Sequence, residues 1–221
     1  MAQRFRWTPR GYEADLEQAE VRLLRGLVKD VVTLLEGRRE QVRADAADAP
    51  PAGHDAADPF WSLVGGLDVG REGGRAAPED AAVARLLPDS LPDAAPEEAA
   101  RQRALTEDAV TDAKLDDARR ALEVLRSTRL SVAPEHAASF GRALNDVRLV
   151  LAARLGVETD EDAARIHDVD HWRRAEDVES TMALLYNFTT WLLETLMEEM
   201  LRELPDDGPS GPGTTDEGSP E

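Results

Sequence analysis

The run Leu144-Asn145-Asp146-Val147-Arg148-Leu149-Val150-Leu151-Ala152-Ala153-Arg154-Leu155-Gly156 decides how this chain folds. At the helical pitch, Phe140, Leu144, Val147, Leu151 and Leu155 share one face, and that face must be laid on other helices. Arg148 projects from within it. A guanidinium taken out of water alone is costly, so something must answer it. The answer is either a carboxylate on a neighbouring helix or a partner protein. Arginine suits both, because its planar fork pairs two carboxylate oxygens at once. Asn145 lies three residues earlier and can share the network. Asp146 points away and is expected to pair with Arg142. Arg154, near the end of the run, is a further polar candidate.

The other elements follow outward from this helix. Pro134 suits its first turn and Gly156 its end. Upstream, a helical pattern runs from Glu97 to Arg126, with a break expected near Thr106 and an apolar edge of Leu115, Ala118, Leu122 and Leu125. Asp80–Leu87 reads as a short helix stopped by Pro88. Glu17–Val42 is a long amphipathic helix with a wide stripe of Leu23, Leu24, Leu27, Val28, Val31, Leu34 and Leu35. The last helix, Glu179–Leu204, is the most apolar. It is either central in the bundle or shared with a second copy in a homodimer. Gln3–Asp15 reads as a β-hairpin, alternating Phe5 and Trp7 with polar residues and turning at Thr8-Pro9-Arg10-Gly11.

The expected fold is therefore mainly α: a four- or five-helix bundle with an N-terminal β-hairpin. Residues 1–204 form one helical domain, with the hairpin at 3–16 and a flexible insert at 43–79. Residues 205–221 form a disordered acidic tail. Val157–Asp177 reads as acidic and irregular. Within the insert, Phe60 and Trp61 stand out as a segment folding back on the core or as a docking peptide.

Composition narrows the function. The 221 residues carry a net charge of −19, with 32% charged and 42% hydrophobic residues. That field repels nucleic-acid phosphates and anionic membrane surfaces, although much of the acidity sits in the insert, the 157–178 segment and the tail. There is no cysteine, so disulfides, thiolate metal sites and thiol redox switches are excluded. No signal-peptide pattern or membrane-length apolar run is seen, so a cytoplasmic protein is expected.

No nucleophile elbow, Walker loop or dinucleotide-binding glycine pattern is present. His167-Asp168-Val169-Asp170-His171 is the one stretch with ligand chemistry. Its histidines share a helix face at a spacing that binds zinc or nickel, but no glutamate follows the first histidine and no third histidine is evident. The expectation is a solvated acidic loop, with no metal, cofactor or catalytic residue.

The run Leu144–Gly156 resembles the signature helix of an actinobacterial family named for the oxidative-stress regulator AosR. Ala84-Arg85-Leu86-Leu87-Pro88, Arg103-Ala104-Leu105-Thr106-Glu107-Asp108 and Leu184-Leu185-Tyr186-Asn187-Phe188-Thr189-Thr190-Trp191-Leu192 also match, as does the order of strand, turn, strand and leucine-rich helix at the N-terminus. The resemblance covers most of residues 4–203, excluding the 43–74 linker and His167–Glu176. It implies a non-enzymatic helical protein tied to transcriptional response to oxidative stress, with RNA polymerase or a sigma factor as partner. Genes of this kind lie near a Clp-protease adaptor and cysteine-biosynthesis genes. A member that senses oxidants through a cysteine pair is no guide here, because this chain has none. Met182, Met197 and Met200 are expected to be packing residues. Two alternatives are carried: an adaptor in Clp-type proteolysis that docks through Phe60-Trp61, and a metal-dependent enzyme built on His167 and His171.

Overall fold

The computed structural model describes residues 2–48, 74–91, 93–167 and 177–203. Phe60, Trp61, His171 and the 205–221 tail lie outside the described residues, as does the side chain of His167. The elements run β1 (Arg6–Thr8), β2 (Gly11–Asp15), α1 (Gln18–Asp48), α2 (Ala81–Leu86), α3 (Pro96–Val124), β3 (Arg129–Val132), α4 (Pro134–Arg154), α5 (Asp160–His167) and α6 (Val178–Arg202). The chain is mostly helical, as its periodicities require.

The hairpin forms where expected, with Thr8 opposite Gly11 and Trp7 opposite Tyr12. Gly11 holds φ at +114°, and a Cβ there would stand 2.2 Å from the Val132 carbonyl oxygen, so only glycine fits this turn. A third strand, not expected from the sequence, extends the hairpin into an antiparallel sheet of order β1-β2-β3. Tyr12 pairs with Val132 and Ala14 with Leu130. Leu130 and Val132 turn into the core while Arg129 and Ser131 stay exposed, the alternation of a half-buried strand.

The outer edge of β1 is covered by α6. The Phe5 amide donates to Thr195 Oγ1 at 3.4 Å and the Trp7 amide to Glu199 Oε2 at 3.2 Å. These amides would otherwise be open to pairing with another chain. Phe5 also packs edge-on against Phe140 of α4, with ring centroids 6.1 Å apart.

The core gathers the stripes of α1, α3, α4 and α6 beneath the sheet. Phe5, Leu24, Leu35, Leu115, Leu125, Leu144, Leu192 and Leu196 are fully buried. α1 and α3 run antiparallel: Arg25 donates to the carbonyls of Leu122 and Leu125 near one end, and Arg38 meets Glu107 near the other.

Three expectations change. α3 is continuous through Thr106, whose hydroxyl donates to the Gln102 carbonyl at 3.0 Å and so meets its polar need inside the helix. α1 reaches Asp48, beyond Val42. The segment read as irregular contains α5, entered through Thr159 and Asp162, whose side chains bond each other and the backbone at the turn.

α6 is central in the bundle. Ala183 to Tyr186, Leu192 and Leu196 are all buried within the chain. Its large exposed apolar side chains are Val178 at its first residue and Met197 and Leu201 in its last turns, at 43% and 62% for the latter two. Met197 is therefore not the packing residue expected.

Candidate functional site

Arg148 sits on the seam between α4 and α6. Gly141, Asn145, Arg148 and Ala152 follow at steps of four, three and four residues, and so lie on one line of α4. That line faces α6: a Cβ on Gly141 would lie 3.6 Å from Leu193 Cδ1, 3.8 Å from Leu196 Cδ2 and 4.0 Å from Met197 Sδ. On α6, Tyr186, Thr190, Leu193 and Met197 repeat the same spacing. α4 and α6 make the most extensive helix contact in the molecule, with the start of α4 against the end of α6. They therefore run in opposite directions.

The guanidinium is half-buried. Its Nη2 donates to Asn145 Oδ1 at 2.9 Å. Among the described residues no carboxylate pairs with it, and its Nε is buried without a hydrogen-bond partner. Thr190 Oγ1 is likewise buried and without a partner. Of the two answers open to Arg148, a carboxylate on another helix is not found among the described residues, and Asn145 supplies the contact the sequence suggested. Asn145 fixes the fork from one side and leaves its other donors uncommitted. A guanidinium with free donors can receive a carboxylate. Below α4 and α6, Asn187 Nδ2 donates to the Ile166 carbonyl at 2.9 Å and ties α5 to this end of the seam.

The other charged candidates hold the scaffold. Arg154 Nη2 reaches Asp80 Oδ2 at 2.8 Å. Asp80 also accepts from the Ala82 and Val83 amides and so caps α2. Burial opposes the charge on Asp80, but Arg154 and these amides outweigh it and hold the carboxyl below its ordinary pKa.

Arg142 does not pair with Asp146. Its Nε binds Asp117 Oδ2 at 2.7 Å and its Nη2 binds Asp117 Oδ1 at 3.0 Å, while the Ser139 hydroxyl donates to the same carboxylate at 2.7 Å. Burial pushes Asp117 up, and the bonds from Arg142 and Ser139 more than reverse this, leaving its pKa lowered. Asp146 instead takes Lys114 Nζ at 2.5 Å. Here burial prevails over the lysine, and the Asp146 pKa is raised.

A second buried network lay unseen in the sequence. Arg38 Nε meets Glu107 Oε1 at 2.8 Å, its Nη2 donates to the Ala76 carbonyl at 2.6 Å, and Arg75 Nη1 stands 3.5 Å from the same glutamate. Arg75 also forks onto Asp108 at 2.9 and 3.0 Å. Arg103 donates to the Arg75 carbonyl at 2.7 Å and pairs with Asp89. The signal was spacing: Val21, Leu24, Val28, Val31, Leu35 and Arg38 form one unbroken three-four repeat, so Arg38 stands where the next core residue belongs.

No three His, Cys, Asp or Glu side chains converge as a metal site among the described residues, and none of their helices is long and apolar enough to cross a membrane. The sequence profile of a family described as a domain of unknown function (DUF2017) matches residues 2–200. The chain belongs to that family. No curated protein and no solved structure matches it.

Proposed function

We propose that this member of the DUF2017 family is a regulatory protein that performs no catalysis and acts through a protein partner in the transcriptional response to oxidative stress. The likeness of Leu144–Gly156 to the AosR signature helix supports the oxidative-stress assignment. The structural observation that carries the partner reading is Arg148: a half-buried guanidinium, held in place by Asn145 and answered by no carboxylate of the described residues. An arginine already matched inside its own fold would be scaffold; this one retains free donors. RNA polymerase or a sigma factor is the partner proposed. Without cysteine, an oxidant signal has to arrive by another route than a thiol switch.

The test is affinity isolation of the tagged full chain from actinobacterial cells, with and without peroxide. Enrichment of RNA polymerase subunits or a sigma factor is expected. Their absence under every oxidant condition removes the reading.

A further inference from the structure

We infer that the outer edge of β3 docks an extended segment of the partner, added to the sheet as a fourth strand, with a lysine or arginine at the end that meets Glu135. This rests on the partner reading above and names how the partner is held.

The ladder fixes which way each backbone group points. In an antiparallel sheet the amide and carbonyl of one residue face one side, and those of the next residue face the other. The Phe5 and Trp7 amides go outward to α6, so Arg6 and Thr8 face β2. Glu13 and Gly11, opposite them, face β1, which leaves Tyr12 and Ala14 facing β3. The Leu16 amide donates to the Thr128 carbonyl at 2.8 Å and extends the same alternation. On β3, therefore, Leu130 and Val132 bond to β2. Arg129 and Ser131 face away from the sheet, and both are exposed.

The two edges of this sheet end differently. On β1, Thr195 and Glu199 of α6 meet the outward amides. On β3, the Arg129 amide is met by Ser127 Oγ at 3.1 Å. The Arg129 carbonyl and the Ser131 amide and carbonyl have no partner among the described residues. These groups repeat about 7 Å apart along the strand. They include both a donor and acceptors, and an extended backbone offers both kinds at that repeat. Leu130 and Val132 are 0% and 1% exposed, so β3 is anchored in the core and its edge is in strand form before a partner arrives.

The charge around the edge sets the chemistry of the segment. Arg126 is paired with Glu123 at 2.9 Å and Arg129 with Glu13 at 3.1 Å. Glu135, just past the strand in the first turn of α4, is exposed and has no ion pair among the described residues. A cationic side chain at that end of the added strand meets it. The net charge of −19 favours a basic segment and opposes a second copy of this chain on the same edge.

A random library of short peptides displayed on phage, panned against the full chain, supplies the probes. Selected peptides are expected to be rich in β-branched residues with a lysine or arginine near one end. Their backbone amides are then methylated one at a time. Binding should fall about tenfold at alternate positions and hardly change at those between, the period of a paired strand. Ser131→Pro removes an outward donor and no bond to β2, so it should abolish binding with circular dichroism unchanged. Ser131→Ala keeps the backbone and should bind as the native chain does. Glu135→Gln should weaken binding about threefold. The methylation series uses the native chain, so it stands even where Ser131→Pro fails to fold. Failure to select any peptide, indifference to methylation at every position, or equal binding by a folded Ser131→Pro overturns the site. Dimerisation of the full chain that Ser131→Pro abolishes gives the edge to a second copy and overturns the partner segment. RNA polymerase isolated equally well with Ser131→Pro leaves the regulatory reading standing and removes the edge. Peptides that bind as expected, with no transcription machinery isolated, do the reverse.

Discussion

Arg38 and Glu107 form an ion pair sealed between α1 and α3, each residue only 5% exposed and the Nε–Oε1 distance 2.8 Å. The pair stands in line with the leucines and valines of α1, and on α3 Glu107 lies between buried Arg103 and Thr111. Removing one partner strands the other charge. Glu107→Ala should cost about 3–5 kcal/mol in urea unfolding, and Arg38→Met combined with Glu107→Leu should cost much less than the sum of the single changes. Losses under about 1 kcal/mol for Glu107→Ala contradict a sealed pair.

Asp117 and Asp146 lie across the same α3–α4 seam, and their pKa values are displaced in opposite directions. Asp117 has a lowered pKa, so its contribution is present above its ordinary value and is lost as pH falls through the folded-state value. Asp146 has a raised pKa, so its ionised form weighs against the fold, and that cost appears as pH rises through the folded-state value. Asp117→Asn should therefore destabilise by about 1–3 kcal/mol at neutral pH and by little in strong acid. Asp146→Asn should be neutral or stabilising at neutral pH. Chemical denaturation of both variants across the acid range checks the signs, and a matched response of the two would be wrong for this arrangement.

The cover on β1 gives a local prediction. Glu199→Ala removes the acceptor for the Trp7 amide and exposes the sheet edge. Hydrogen exchange at Trp7 should speed up markedly, with Tyr12 and Ala14, bonded on the inner side, much less affected. Global stability should fall by about 1–3 kcal/mol. Unchanged exchange at Trp7 would mean that the contact does not protect the strand.

Met197 is the exposed methionine of α6, whereas Met182 and Met200 are partly buried against the core. Peroxide should convert Met197 to its sulfoxide ahead of the other two, as read by mass spectrometry of proteolytic fragments. The new polar oxygen would sit over Gly141, on the apolar wall of the α4–α6 seam. Equal oxidation of all three would place Met197 in the core after all.

Long stripes were the legible part of this sequence. Val28, Val31 and Leu35 in α1 and Leu144, Val147 and Leu151 in α4 recur at helical spacing over many turns, and no other element type can use them. β3 was missed because four residues are too few to show a period, although Leu130 and Val132 do alternate with Arg129 and Ser131. Its partner strand, Gly11–Asp15, is far away in sequence, and pairing of that kind leaves no local trace. Arg148 and Asn145 were legible as a polar interruption of an apolar helix. Thr190 was not, since a threonine within a helix ordinarily satisfies itself on the preceding turn, as Thr189 does on the Leu185 carbonyl at 2.8 Å. The Arg38–Glu107 pairing needed the antiparallel alignment of α1 and α3, which neither helix encodes alone.

The contacts of Phe5 with Thr195 and of Trp7 with Glu199 span 190 and 192 residues of chain. β1 thus waits for α6 to be synthesised before its rim is closed. A nascent chain short of Thr195 carries an open β edge that chaperones or a premature neighbour would find.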